Sequence, residues 1–199
     1  MRHYIVLDVE LQAIRNFLNK TLDAVDTEAA AICRQEESHE SCGLDDLANT
    51  LFDTMEREAI AIRAVFYEIN ALVEWELGNL ALEAYRDSAR HAKTPKFLGD
   101  VPVDQASRVK FVYDLPIGEI HWLIEQYYEV KLSNLPGFAE VQRVRQAVNA
   151  FKHRKGFKDF RKDLGSKPLE RFELTRENAY EAIDGARSFL RALWKQSLG

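Results

Sequence analysis

Residues 47–91, "LANTLFDTMEREAIAIRAVFYEINALVEWELGNLALEAYRDSARH", decide the fold, because this stretch is long, apolar on one side and free of proline. Its apolar residues recur at steps of three and four, the period of an amphipathic helix. The stretch contains one glycine, Gly78. It therefore predicts one very long helix, or two helices joined at a kink. The residues of the pattern are Leu47, Leu51, Met55, Ile62, Val65, Phe66, Ile69, Leu72, Val73, Leu77, Leu80 and Leu82.

The same period occurs on both sides of this stretch. It predicts a first helix from Asp8 to about Gln35, one over residues 117–133 that stops at "NLPG", and one from Phe138 to about His153. A last helix is expected to start near Thr175, a good N-cap residue. Five helical segments without a convincing sheet predict an all-α fold, an up-and-down bundle of about five helices. The length of 199 residues favours a single domain over residues 1–199.

Two segments are expected to connect helices. Residues 92–116 hold three prolines and a glycine, which end helices, so we expect a long ordered loop there. A short strand at "RVKFVY", residues 108–113, is the alternative. Residues 154–174 are expected to form a basic loop. No apolar stretch is long enough for a membrane span or a secretory leader, so we expect a cytoplasmic protein that does not contact membranes.

One basic stretch stands out in a chain whose formal charge is -5: "RVRQAVNAFKHRKGFKDFRK", residues 143–162. Between Val141 and Lys167 there are nine lysines and arginines against two aspartates. Concentrated positive charge favours a polyanion such as RNA, because each neutralised phosphate releases counterions. A solvated basic loop is the alternative. The predicted nucleic-acid-binding residues are Arg143, Arg154, Lys155, Lys158, Arg161 and Lys162.

Four polar residues of this stretch, Arg145, Asn149, Lys152 and His153, are candidates for catalysis. Their spacing places them on one side of a helix of about 3.6 residues per turn. A histidine can accept and donate a proton near neutral pH, and a guanidinium can bind a phosphate through two hydrogen bonds. These roles suffice for RNA cleavage by its own 2′-hydroxyl without a metal. The alternative is that Arg145 and His153 only interact with carbonyls at a helix end.

The segment "RQAVNAFKHRKGF", residues 145–157, followed by "LTRENAYEAIDGARSFLRALWKQ", residues 174–196, resembles the HEPN superfamily of all-α domains. Many members are RNases of toxin–antitoxin and antiviral systems. Asn149 and His153 match the polar residue and the histidine of the family motif. Position 148, where the family has arginine, is valine, and Arg145 is the nearest substitute.

The resemblance implies a metal-independent endoribonuclease of a toxin or antiviral defence type that works as a homodimer. His153 would act as general acid and base, Arg145 and Lys152 would stabilise negative charge, and Asn149 would position the phosphate or His153. The alternative is a non-catalytic HEPN-like module that binds nucleic acid, a nucleotide or a partner protein, such as a nucleotidyltransferase.

The remaining acidic residues carry weaker expectations. Glu68, Glu74 and Glu76 are expected on a solvated helix face, with the alternative that one of them turns inward to orient Arg145. Glu36 and His39 form an E-x-x-H pair, but a di-iron bundle needs two such pairs and the chain has no second one. We therefore expect no metal site and no cofactor.

Overall fold

The structure is a computed structural model that describes residues 2–37, 44–88, 105–154, 156 and 171–197. Within these ranges the chain forms six α-helices and no strand, which confirms the predicted all-α class. A short 3-10 turn, Leu132–Asn134, lies between the fourth and fifth helices. The helices are α1 (Arg2–Glu37), α2 (Leu44–Ser88), α3 (Gln105–Tyr113), α4 (Ile117–Tyr127), α5 (Phe138–Arg154) and α6 (Arg176–Ser197).

Helix α2 is the centre of the fold, because it packs against all five other helices. It runs as a single helix through Gly78. A Cβ atom at this glycine would lie 2.6 Å from Cε1 of Tyr113, so the missing side chain lets α3 approach closely. Tyr113 also donates a hydrogen bond of 2.6 Å from its hydroxyl to Oδ1 of Asn79.

The core lies between α2 and the helices around it. Its most deeply buried large side chains come from α1, α2, α4, α6 and the 3-10 turn: Leu11, Leu18, Phe66, Ile69, Leu77, Leu80, Ile124, Leu132, Ile183 and Phe189. Removing this apolar surface from water supplies the main driving force for folding. Helices α1, α2, α5 and α6 therefore form one bundle, with α3 and α4 added beside α2.

The expectation of a loop or a strand is wrong for residues 105–113, which form the helix α3. Its Val112 is completely buried, and Phe111 packs against the core. The β-branched and aromatic residues of "RVKFVY" favour a strand by intrinsic preference, but packing against α2 determines the outcome. Residues 92–104 lie outside the described residues.

The last two helices approach each other closely at two glycines. Gly137, just before α5, has a φ of +80°, and a Cβ there would lie 2.0 Å from the carbonyl oxygen of Gly185 in α6. Only glycine fits such a contact. The predicted N-cap of α6 is confirmed, since Oγ1 of Thr175 accepts a hydrogen bond of 3.1 Å from the backbone N–H of Asn178. Gly156, with a φ of +85°, follows the end of α5.

Helix α6 is tied to the first two helices by ion pairs. The guanidinium of Arg176 donates hydrogen bonds to both carboxylate oxygens of Asp26, at 2.8 and 2.7 Å, and to Glu58 at 2.7 and 2.6 Å. These bonds lower the pKa of Asp26. Further along α6, Arg187 forms an ion pair of 2.8 Å with Asp8. One guanidinium at the start of α6 thus connects three helices.

Candidate functional site

Helix α5 carries the predicted site on the flank of a helix that is otherwise part of the core. Val144 and Val148 are 2% and 1% exposed, and Phe151 is half-buried, so the valine at the family's arginine position is a core residue. Arg145 and Asn149 are partly exposed, while Lys152 and His153 are exposed. The apolar stripe of α5 fixes the helix on the core, and the four polar candidates follow along its edge.

Arg145 faces α2 and forms an ion pair with Glu74, whose Oε1 lies 3.8 Å from the arginine Nε. Its side chain is about one third exposed. Nε itself is buried and has no hydrogen-bond acceptor among the described residues. Beside it is a small closed cavity, of about the size of one water molecule, lined by Asn70, Glu74, His121 and Arg145 among others.

His121 of α4 is a titratable residue beside Arg145. Sequence spacing alone does not assign it to this site. It lines the same cavity as Arg145, and its ring centroid lies 6.2 Å from that of Phe138. Burial lowers the pKa of His121, and the positive charge of Arg145 lowers it further, whereas Glu125 opposes both effects. Nothing in the local sequence "GEIHWLIEQ" links this histidine to Arg145, because the two residues come from different helices.

Lys152 and His153 lie near the carboxyl end of α5. The ammonium of Lys152 sits 5.7 Å from the centroid of the Tyr67 ring, within the range of a cation–π interaction. The imidazole of His153 is exposed to solvent. His153 lies eight positions after Arg145, a rise of about 12 Å along the helix. Within one chain the structure therefore places Lys152 next to His153, but it does not bring Arg145 to His153.

The predicted nucleic-acid-binding residues fall into two groups. Arg143 is exposed and forms an ion pair of 3.3 Å with Glu181 of α6. Arg154 is the last residue of α5, but its side chain lies outside the described part of the chain. The remaining four residues lie entirely outside the described part of the chain: Lys155, Lys158, Arg161 and Lys162.

The three glutamates of α2 expected on one solvated helix face differ in their exposure to solvent. Glu68 and Glu74 are exposed, but Glu76 is buried, at 1% exposure. One of its carboxylate oxygens, Oε2, accepts a hydrogen bond of 3.1 Å from the indole N–H of Trp194. The expectation is thus wrong for Glu76, which joins α2 to α6. The alternative that one glutamate turns inward to orient Arg145 is met only in part, because Glu74 forms an ion pair with Arg145 but is itself exposed.

Comparison with known proteins returned no match: no protein-family model, no curated protein and no solved structure matches this chain. Among the described helices there is none with a stretch long and apolar enough to span a lipid bilayer. The described residues also include no group of three His, Cys, Asp or Glu side chains that could hold a metal ion. The fold and the site define an all-α helical protein with a histidine and a lysine exposed at one helix end.

Proposed function

We propose that this chain is a HEPN-like, metal-independent endoribonuclease of a toxin or antiviral defence type, with His153 as its general acid and base. The observation that carries the proposal is the exposure of Lys152 and His153 at the end of α5, on a helix whose other face forms the core. Side chains exposed in this way contribute little to folding, so a histidine and a lysine there are available to a ligand.

The chemistry requires one group that moves protons and one that stabilises negative charge. His153 accepts the proton of an RNA 2′-hydroxyl, whose oxygen attacks the adjacent phosphorus. The bond to the 5′-oxygen breaks, that oxygen takes up the proton that His153 has accepted, and a 2′,3′-cyclic phosphate remains. Lys152 is the described cation nearest to His153 in the chain and stabilises the charge of the phosphorane. Asn149, one turn earlier, positions the phosphate or His153.

The role of Arg145 differs from the one that the resemblance implies. Since Arg145 is held by Glu74 about two turns from His153, it does not reach the same phosphate within one chain. The proposal therefore includes a cytoplasmic homodimer, as in the family, in which Arg145 and His153 act from different copies. The basic residues Arg143, Arg154, Lys155, Lys158, Arg161 and Lys162 extend the contact along the RNA backbone.

A second candidate is a non-catalytic HEPN-like module that binds RNA, a nucleotide or a partner protein. This candidate is favoured by the residues at positions 148 and 145, the two positions that could supply the arginine of the HEPN motif. Val148 is a core residue, and Arg145 is engaged by Glu74. In this case the chain has kept the fold and the basic surface but has lost the chemistry.

The test is incubation of purified protein with total RNA in the presence of EDTA. We expect wild type to cleave and to leave 2′,3′-cyclic phosphate ends, and His153→Ala and Lys152→Ala to lose cleavage while remaining folded. Gln146→Ala, an exposed residue of the same helix, is the matched control and should cleave like wild type. Cleavage that is equal in His153→Ala and wild type removes His153 from the mechanism.

RNA binding, measured together with cleavage, separates the two candidates. If the basic segment contacts RNA, affinity for a single-stranded RNA falls steeply with salt, by about 0.7 log units per log unit of salt for each phosphate contact. Reversing the charge of Lys155, Lys158 and Lys162 together should flatten that dependence. RNA binding without cleavage supports the module, and a salt-independent or absent interaction with RNA excludes both RNA-based functions.

A further inference from the structure

A shallow groove of about 620 Å³ runs between α1 and α2 on the solvent side of this helix pair. Its floor is apolar and includes Ala13 from α1 and Ala71 and Leu72 from α2. The indole of Trp75, which is 50% exposed, forms one wall. The groove lies between two helices that pack against each other.

The apolar surface continues along α1 beyond the groove. Val6, Val9, Ala13 and Phe17 follow each other at steps of three and four residues, so they share one face of the helix over about 16 Å. Val6, Val9 and Phe17 are 55%, 63% and 50% exposed. Half-exposed aromatic rings contribute roughly 100 Å² each. Large apolar side chains that are exposed together on one face are typical of a protein–protein interaction site.

The charges beside the groove specify what binds there. Glu10 and Glu68 line it from opposite helices, both are exposed, and neither forms an ion pair with another described residue. No basic residue is among those that line the groove. Two carboxylates and an indole face attract a cation, through charge and through a cation–π interaction. A second copy of this chain would instead bring two more carboxylates to the same place, and an anionic lipid surface or a nucleic acid would be repelled.

We propose that this groove binds a basic amphipathic helix of a partner protein. An apolar groove between two helices can bind a further helix whose apolar face lies along it. The apolar face of the partner helix packs on Ala13, Ala71 and Leu72. Its lysines or arginines lie between Glu10 and Glu68 and over the face of Trp75. The proposal is independent of RNA cleavage, because it uses no residue of α5.

The experiment measures binding of a fluorescent amphipathic peptide of leucine and lysine, about 18 residues and about 27 Å long as a helix. A peptide of the same pattern with glutamate in place of lysine is the control ligand. We expect the leucine–lysine peptide to bind, with an increase of fluorescence anisotropy, and the leucine–glutamate peptide not to bind. Glu10→Lys combined with Glu68→Lys should weaken binding by about tenfold, since exposed ion pairs are individually weak. Ala71→Arg, which fills the groove, should abolish it.

The matched control is Asp23→Lys with Asp53→Lys, which makes the same change of charge at exposed positions farther along α1 and α2. It should bind the peptide as wild type does. An equal loss in both double variants shows attraction to overall charge and overturns the proposal. Unchanged binding in a folded Ala71→Arg variant places the contact elsewhere. If Ala71→Arg converts a dimer into a monomer in sedimentation, the occupant is a second copy and the proposed partner is wrong.

Discussion

Gly185→Ala tests the close contact between α5 and α6 by adding a single methyl group. In the native backbone this Cβ would lie 2.4 Å from Cβ and 2.8 Å from Cγ of Glu140. Carbon atoms in contact prefer a separation of about 3.5–4.0 Å. Because Cβ of Glu140 is fixed to the backbone of α5, the side chain cannot rotate away, and the two helices must separate by about 1 Å.

The net effect is the difference between two opposing terms. Inserting a methyl group into a packed contact costs about 1–3 kcal/mol. Replacing glycine by alanine inside a helix returns about 1 kcal/mol. We therefore expect Gly185→Ala to lower the free energy of unfolding by about 1 kcal/mol. Gly118→Ala is the matched control, because a Cβ at Gly118 in the first turn of α4 meets no atom within 4 Å. Only the propensity gain acts there, and we expect a stabilisation of about 0.5 kcal/mol.

The assay is urea denaturation of wild type and both variants, followed by far-UV circular dichroism. The midpoint should fall for Gly185→Ala and rise for Gly118→Ala, with unchanged slopes. A Gly185→Ala variant at least as stable as the Gly118→Ala variant would refute the reasoning, because the two helices would then not be in the close contact described.

Three further predictions concern His121, the buried position 148 and the ion pairs of Arg176. In an NMR titration His121 should show a pKa below 6.5, and Arg145→Met should raise it; an unchanged value would mean that the two groups do not interact. As pH falls through about 6.5, His121 of the unfolded chain is protonated before His121 of the folded chain. The free energy of unfolding of wild type should therefore decrease below that pH, and the His121→Gln variant should lack this contribution. Val148→Arg should destabilise the fold by roughly 3 kcal/mol or more, because it places a charge at a position that is 1% exposed; a variant as stable as wild type would contradict the burial of this position. Arg176→Met should lower the urea midpoint, since it leaves the carboxylates of Asp26 and Glu58 without their guanidinium, and an unchanged midpoint would mean that these exposed bonds do not stabilise the bundle.

The long helices could be predicted because their apolar periodicity extends over many turns. The pattern from Leu47 onward identifies α2 without any knowledge of its neighbours, and Thr175 marks the start of α6 by local chemistry alone. Helix α3 could not be found in this way. It has nine residues, its composition favours a strand, and its conformation depends on Val112 reaching the core beside α2.

The site was predictable along α5 but not across helices. Helical geometry correctly places Val148 inward and Lys152 outward. The partners of Arg145 and Lys152 are Glu74, His121 and Tyr67, and these come from α2 and α4. Sequence spacing within one helix carries no information about such pairs, because they depend on how the helices pack.

The bonds made by Arg176 have a consequence for the order in which the bundle is completed during synthesis. They join α6 to residues that precede it in the chain by 150 and 118 positions. A nascent chain emerges from the ribosome amino end first, so α1 and α2 are exposed long before α6 is made. Until then, the faces of α1 and α2 that later meet α6 stay in contact with water or with other nascent chains. We therefore expect the unfinished chain to be more prone to aggregation than the complete chain, because apolar faces of α1 and α2 are covered only when the last helix docks.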